Sequence, residues 1–377
     1  MKTISLLQTL TIPLAVAFYT AFSPSTLYAD QTGAKSDNSN IKKEESIKKQ
    51  QRWAAFPIIA SSPETGFMLG GMLFHFLPVK NHGQQASTID IRTFATTEEQ
   101  YHISLSPNVF FKDNRYRFNS SIIYSSWTAN YYGLGNNSSD DNEKYEANSL
   151  GATATIEMKV FDSLILGLLG SYTSEDITTE TGGMLQTENV VGATDVDYGG
   201  LGIRVGYDTR DNTNAPHTGA LAVYESTWFD GNFSSDHNFN IQSLDIRYFT
   251  EISKDNILAF STQMKDSHGQ VPFRVLSSPD GTMLLRGIEN GRYRDKILLG
   301  FQSEYRFPVS KKFTGTAFAE AAQVASEYSD IEISSFKTSL GAGIRYALNP
   351  KQRFNIRADI AWVDDGVGVI INVKEAF

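Results

Sequence analysis

Some side chains in this chain have the types and spacing that chemistry needs. It carries six histidines (His75, His82, His102, His217, His237 and His268) and no cysteine. None of the histidines pairs with acidic neighbours at a metal-ligand spacing, so neither a metal nor a cofactor is expected. His102 and Ser104 stand two apart, on one face of any strand that holds them. A serine nucleophile needs a base at that range and a third group to orient the base. No convincing orienter accompanies the pair, so both are read as polar residues of a wet interior and the chain as not an enzyme. Asp140, Asp141 and Glu143 could hold a divalent cation weakly, though a solvated acidic loop accounts for them better. Gly-rich phosphate-binding patterns are absent. The densest charge lies in LLRGIENGRYRDK, residues 284–296, where Arg286, Arg292, Arg294 and Lys296 stand with Glu289 and Asp295 between two alternating apolar runs. A solvated hairpin tip is the simplest reading of that stretch.

The elements that must position these residues follow from composition and period. The 377 residues carry a formal charge of -9, with lysines scattered, which gives no support for a nucleic-acid partner. Lys2, an apolar stretch at 10–22 and Leu27-Tyr28-Ala29 ahead of Asp30 have the form of a secretory signal at 1–29, cut after Ala29. That stretch is shorter than the about 20 apolar residues of a membrane helix, and Pro13 interrupts it. Residues 30–52 are polar, rich in Ser, Asn, Lys and Glu, and are expected to form a flexible periplasmic arm.

From Trp53 to the end, segments alternate with a period of two. Ile297, Leu299, Phe301, Tyr305 and Phe307 form one row, with Gln302, Glu304 and Arg306 opposite. Phe336, Leu340, Ala342, Ile344, Tyr346 and Leu348 back onto Lys337, Ser339, Gly341, Gly343 and Arg345. Phe354, Ile356, Ala358, Ile360 and Trp362 back onto Arg353, Asn355, Arg357 and Asp359. A soluble sandwich alternates in the same way. Three features favour a membrane barrel at 53–377. The polar rows carry glycine and opposite charges, aromatics such as Tyr207, Trp228, Tyr248 and Trp362 recur at strand ends, and short connections alternate with long ones. About sixteen antiparallel strands are expected. Tight turns at 112–114, 161–163, 253–255, 310–312 and 350–352 then fall on one side. Long loops at 128–144, 176–195 and 267–295 fall on the other, and the connections 77–86 and 209–219 are longer than their side predicts. The expected fold is an all-β transmembrane antiparallel barrel in contact with outer-membrane lipid.

Over 196–377 the chain resembles the outer-membrane surface-antigen barrels related to BamA and TamA. The motifs are GLGIRVGYDTRDN followed by PHTG, then LLRGIENGRYRDK, EYRFPV and a final Phe377, with FPIIASSPETG at the entry to the first hairpin. The resemblance implies sixteen strands and a loop between the eleventh and twelfth that folds back into the lumen. It also implies that Arg286, freed for close approach by Gly287, lodges against Glu304 and Glu320 on the barrel wall. Glu320 and Ala322 stand where the family has Asp and Gly, and Ile288 replaces an aromatic. Phe377 closes the row Val369, Ile371, Val373 and would be the insertion signal of the last strand, with Glu375 as a departure on that row. Asp208, Arg210 and Asp211 would be charge-paired at a periplasmic turn.

Family members usually carry POTRA repeats ahead of the barrel, and 30–52 is too short for one. Two functions follow from the resemblance. One is assistance to insertion or translocation at the bacterial outer membrane, with client or partner polypeptides at the seam between first and last strands. Pro57 in the short first strand at 54–60 weakens that seam by removing a ladder donor. The other is a passive pore or structural surface antigen.

Overall fold

Alternating rows of apolar and polar side chains cannot all be buried on one side of a flat sheet, and this chain solves that by curling one sheet round a polar interior. The computed structural model describes residues 53–62, 66–77, 87–138, 140–350, 353–364 and 366–377. The expected signal segment 1–29 and arm 30–52 lie outside the described residues.

The first eight strands are β1 (Trp53–Ser62), β2 (Gly66–Phe76), β3 (Thr88–Thr96), β4 (Tyr101–Phe111), β5 (Tyr116–Tyr131), β6 (Glu143–Lys159), β7 (Leu164–Thr179) and β8 (Val196–Asp208). They are followed by β9 (Gly219–Phe229), β10 (Phe239–Ser253), β11 (Asn256–Gly269), β12 (Ile297–Pro308), β13 (Phe313–Ala325), β14 (Lys337–Asn349), β15 (Phe354–Val363) and β16 (Gly366–Val373). Each pairs antiparallel with its sequence neighbours, and the 16 strands form one sheet in chain order. The expected all-β barrel and its strand number are observed.

The rows sort as the period requires. Leu69, Ile103, Leu168, Leu201, Phe301 and Leu340 stand on the outer face, exposed, while Arg117, Glu157, Gln302, Glu304, Arg345 and Asp359 are buried on the inner one. Apolar outside and charged inside is the arrangement of a barrel whose solvent is lipid. On one side the turns are tight, at 112–115, 160–163, 254–255 and 309–312, with Lys112, Asp113, Asn114 and Asp255 at positive φ. On the other side lie the loops 132–142, 180–195 and 270–296. The connection 209–218, too long for a tight turn, folds over the short-turn mouth, with Thr213, Asn214 and Ala215 buried.

The two edges of the sheet are β1 and β16, and no ladder joins them among the described residues. Side chains make the contact instead: Ile371 of β16 packs against the cluster of Ile58, Met68, Met72 and Phe94. Ile371 pairs with Ala358 on the outer row, whereas Ile58 pairs with Gly70 on an inner row. The inner face of the first hairpin therefore lies against the outer face of the last strand.

One expectation at the end of the chain is corrected. The outer row Val369, Ile371, Val373 does not run on to Phe377, because β16 ends at Val373 and Lys374 turns to φ 63. A residue at positive φ breaks the strand alternation. Glu375 and Phe377 then point inward and are buried, so Glu375 is no departure on the lipid face.

The outer row supplies the test of the barrel. Leu168, near the middle of the lipid-facing span of β7, is 64% exposed. In a soluble sandwich Leu168→Arg would be nearly neutral. In this barrel it is expected to cost about 2–4 kcal/mol, read by denaturant unfolding in lipid vesicles.

Candidate functional site

Residues 270–296 leave β11 and re-enter at β12, and nearly all of that length is packed inside the barrel. The loop is anchored by polar groups because the wall it meets is the polar row of β12 to β15. Neighbouring strands set the inner side chains in tiers. Gln302, Glu320 and Ser339 are cross-strand partners, then Glu304, Phe318, Gly341 and Ala361. Asp359 stands opposite Gly343, and Arg357 opposite Arg345.

Arg286 enters these tiers and is completely buried. Its backbone N–H donates to Glu320 Oε2 at 2.6 Å and its Nε to Glu320 Oε1 at 2.7 Å. Its Nη1 donates to Glu304 Oε2 at 2.8 Å and to Asp359 Oδ2 at 3.2 Å. Ser339 Oγ donates to the Arg286 carbonyl at 2.6 Å. The guanidinium carbon lies 3.3 Å from the centroid of the Phe318 ring, so one face of the ion is covered by the ring while Nε and Nη1 are bonded at its edge. Burial opposes the charge, but the carboxylates of Glu320, Glu304 and Asp359 outweigh it and hold the Arg286 pKa above the ordinary guanidinium value.

The wall carries its own cations. Arg306 Nε donates to Glu304 at 2.7 Å and Arg345 Nη2 to Glu304 at 3.1 Å. Arg345 also pairs with Asp359, and with Glu375 at 2.9 Å. Arg357 Nη1 donates to Asp359 at 2.9 Å, and its Nη2 to the Thr282 carbonyl of the loop at 2.5 Å. Four guanidinium groups (Arg286, Arg306, Arg345, Arg357) thus meet four carboxylates (Glu304, Glu320, Asp359, Glu375) in one buried cluster. Such a cluster is tolerable only when every charge is matched, since an unpaired buried charge is the expensive case.

Gly287 follows directly, at φ 96. A Cβ there would come within 3.1 Å of the Ala361 Cβ and 3.4 Å of the Gly368 Cα. The loop backbone therefore lies flat on β15 and β16, which only glycine at this conformation permits.

The rest of the charged stretch reaches across the lumen. Glu289 accepts from Asn130 Nδ2 at 2.9 Å and from Tyr132 Oη at 2.6 Å. Arg292 donates to Ser138 Oγ and to Asp140 Oδ1, both at 2.7 Å. Arg294 donates to the Phe273 carbonyl at 3.1 Å, and Asp295 accepts from Lys296 N at 2.8 Å. Phe273 packs edge-on against Tyr131 and Tyr145, and Arg274 pairs with Glu175 at 2.6 Å. The loop is a strut from β12–β15 to β5–β7, not a solvated tip.

Arg286, Gly287, Glu304 and Glu320 are brought together. Asp359, Arg345, Arg357 and Ser339 complete the cluster and were not singled out from the sequence. They stand on polar rows legible in the sequence, but their height relative to Glu304 comes only from the strand register. Asp140 is engaged by Arg292, and Glu143 accepts from Leu185 N at 2.8 Å. His102 stacks on Phe94 with centroids 4.8 Å apart, on the same inner face as buried Ser104. Arg210 makes a paired contact with Asp208 at 2.9 and 2.8 Å, and Asp211 accepts from Arg353 at 2.6 Å.

The fold that carries this cluster has known relatives. The Omp85 superfamily domain matches residues 84–369. The fold is similar to BamA from Haemophilus ducreyi lacking POTRA domains 1-3, with TM-score 0.59 and 13% identity, over 84% of this chain and 68% of that one. It is also similar to CdiB from Acinetobacter baumannii (TM-score 0.53, 11% identity, 85% of this chain and 59% of that one). CdiB from Escherichia coli gives TM-score 0.56 and 9% identity, over 84% and 61%. The chain thus spans less than two thirds of either CdiB. No curated protein sequence matches it.

Arg286→Ala leaves Glu304, Glu320 and Asp359 short of their shared cation, a loss of about 3–5 kcal/mol for a buried pair. The expected result is an inserted barrel whose 270–296 loop is cut by protease. A loop as resistant as in the parent chain would count against the anchoring role.

Proposed function

Because this chain belongs to the Omp85 superfamily, we propose that it is an outer-membrane barrel that assists insertion or translocation of polypeptides, working at the seam between β1 and β16. The observation that carries this reading is the pairing pattern. Among the described residues fifteen neighbouring strand pairs are laddered, and β1 and β16 stand at the edges of the sheet. An unpaired strand edge is a template for another extended segment. Pro57 lies in the exposed part of β1, where a missing donor weakens any competing ladder with β16. Passage through the lumen fits less well, because the 270–296 strut spans one mouth and the 209–218 connection covers the other.

A second reading, a passive pore or structural surface antigen, draws support from one contact. Ile371 packs on the Ile58 cluster, which can hold the seam shut without a ladder. The two readings separate in living cells by photo-crosslinking from Ala55 on β1 and Ile371 on β16. Precursors of other membrane or secreted proteins trapped at both positions are expected. Only crosslinks between β1 and β16, with a large steady conductance in planar bilayers, would favour the pore instead.

A further inference from the structure

The segment 374–377 follows the last strand, and the way it is held differs from everything else in the sheet. Its final ladder bond runs from Lys374 N to the Asn355 carbonyl, at 2.7 Å. Beyond it, the described contacts are to side chains of the wall. Glu375 Oε2 accepts from Arg345 Nε at 2.9 Å and lies 3.8 Å from Arg306 Nε, while its Oε1 accepts from Asn355 Nδ2 at 2.9 Å. The Phe377 ring lies 6.3 Å from that of Phe249, inclined at 30°, and packs with Ala259. The Arg306 guanidinium carbon is 5.7 Å from each ring centroid, and Arg306 Nη2 donates to the Phe377 carbonyl at 3.3 Å. Arg306 Nη1 reaches the Pro216 carbonyl at 3.5 Å, so the 209–218 connection closes the far side.

Every wall of this seat comes from elsewhere in the barrel: Phe249 from β10, Ala259 from β11, Arg306 from β12, Arg345 from β14 and Asn355 from β15. None of these residues belongs to the segment they hold. The seat offers two cations and an amide to a carboxylate, and, one strand-length of two residues further, an aromatic shelf under a guanidinium. We propose that the short-turn mouth contains a peptide-binding site, filled in cis by residues 374–377. Its ligand class is an extended segment with an acidic residue and, two positions on, an aromatic one. The site is separate from the seam, and its test does not depend on polypeptide handling there.

The chain has no cysteine, so one can be placed in the seat without background. Ala259→Cys puts a thiol on the fully buried floor. Labelling by a water-soluble maleimide is expected to be slow in the full-length variant. It should become fast in the same variant ended at Val373, and in the full-length variant that also carries Phe377→Ala. The free peptide Lys-Glu-Ala-Phe should restore protection to the shortened chain, while Lys-Gln-Ala-Phe and Lys-Glu-Ala-Ala should not. Slow labelling in both altered chains would overturn the proposal. So would labelling of the shortened chain that the first peptide does not slow, because the segment would then be a fixed part of the wall.

Discussion

One buried cation sets the terms for one side of this barrel. Arg286 arrives on a loop with no strand partner of its own, and stripping water from a guanidinium is tolerable only where several carboxylates already converge. Those carboxylates come from β12, β13 and β15, so three strands must hold one register for a single loop residue to be satisfied. Their own excess charge is balanced in turn by Arg306, Arg345 and Arg357. Planar forks suit this task because each can bond two acceptors at fixed angles, which a lysine could not do. The recess that admits the ion is cut by absence: Gly341 and Gly343 leave the space that Phe318, Arg345 and Asp359 fill.

The barrel was legible in the sequence because a period of two needs no knowledge of tertiary structure. The rows read from 297–307, 337–346 and 354–362 are the rows observed, and the tight turns at 112–114, 161–163, 253–255 and 310–312 fall where parity placed them, while 351–352 lie outside the described residues. Arg286, Glu304 and Glu320 were found through the family resemblance, on residues that period alone would have left as wall and loop. Asp359 and Arg345 were missed for a geometric reason. Their role depends on stagger between strands far apart in the chain, which alternation does not encode. The inward turn at Lys374 escaped for a local one. Nothing in Val-Lys-Glu-Ala-Phe announces a positive φ at lysine, and the apolar row continues on paper to a residue that has left the sheet.

The two ends of the sheet are treated unlike the rest. Elsewhere, cross-strand hydrogen bonds fix neighbours. Between β1 and β16 the link seen among the described residues is apolar packing of an inner face on an outer one. Contacts of that kind slide and separate more readily than a ladder, since no directional bond must break. The lumen is more firmly organised than the seam, with a strut through its long-loop mouth and a folded connection across the other.

The wall opposite the Arg286 cluster repeats its charge arithmetic with different residues. Arg117 pairs with Glu157, and Arg204 with Glu157 and Glu225, while Arg210 meets Asp208 and Arg247 meets Asp245. These groups line, in part, a cavity of about 210 Å³. Four cations and four anions again cancel within one patch. Two patches that each neutralise themselves project little field beyond their own neighbourhood. Within each patch the charge is spent on its neighbours, dense but locally balanced.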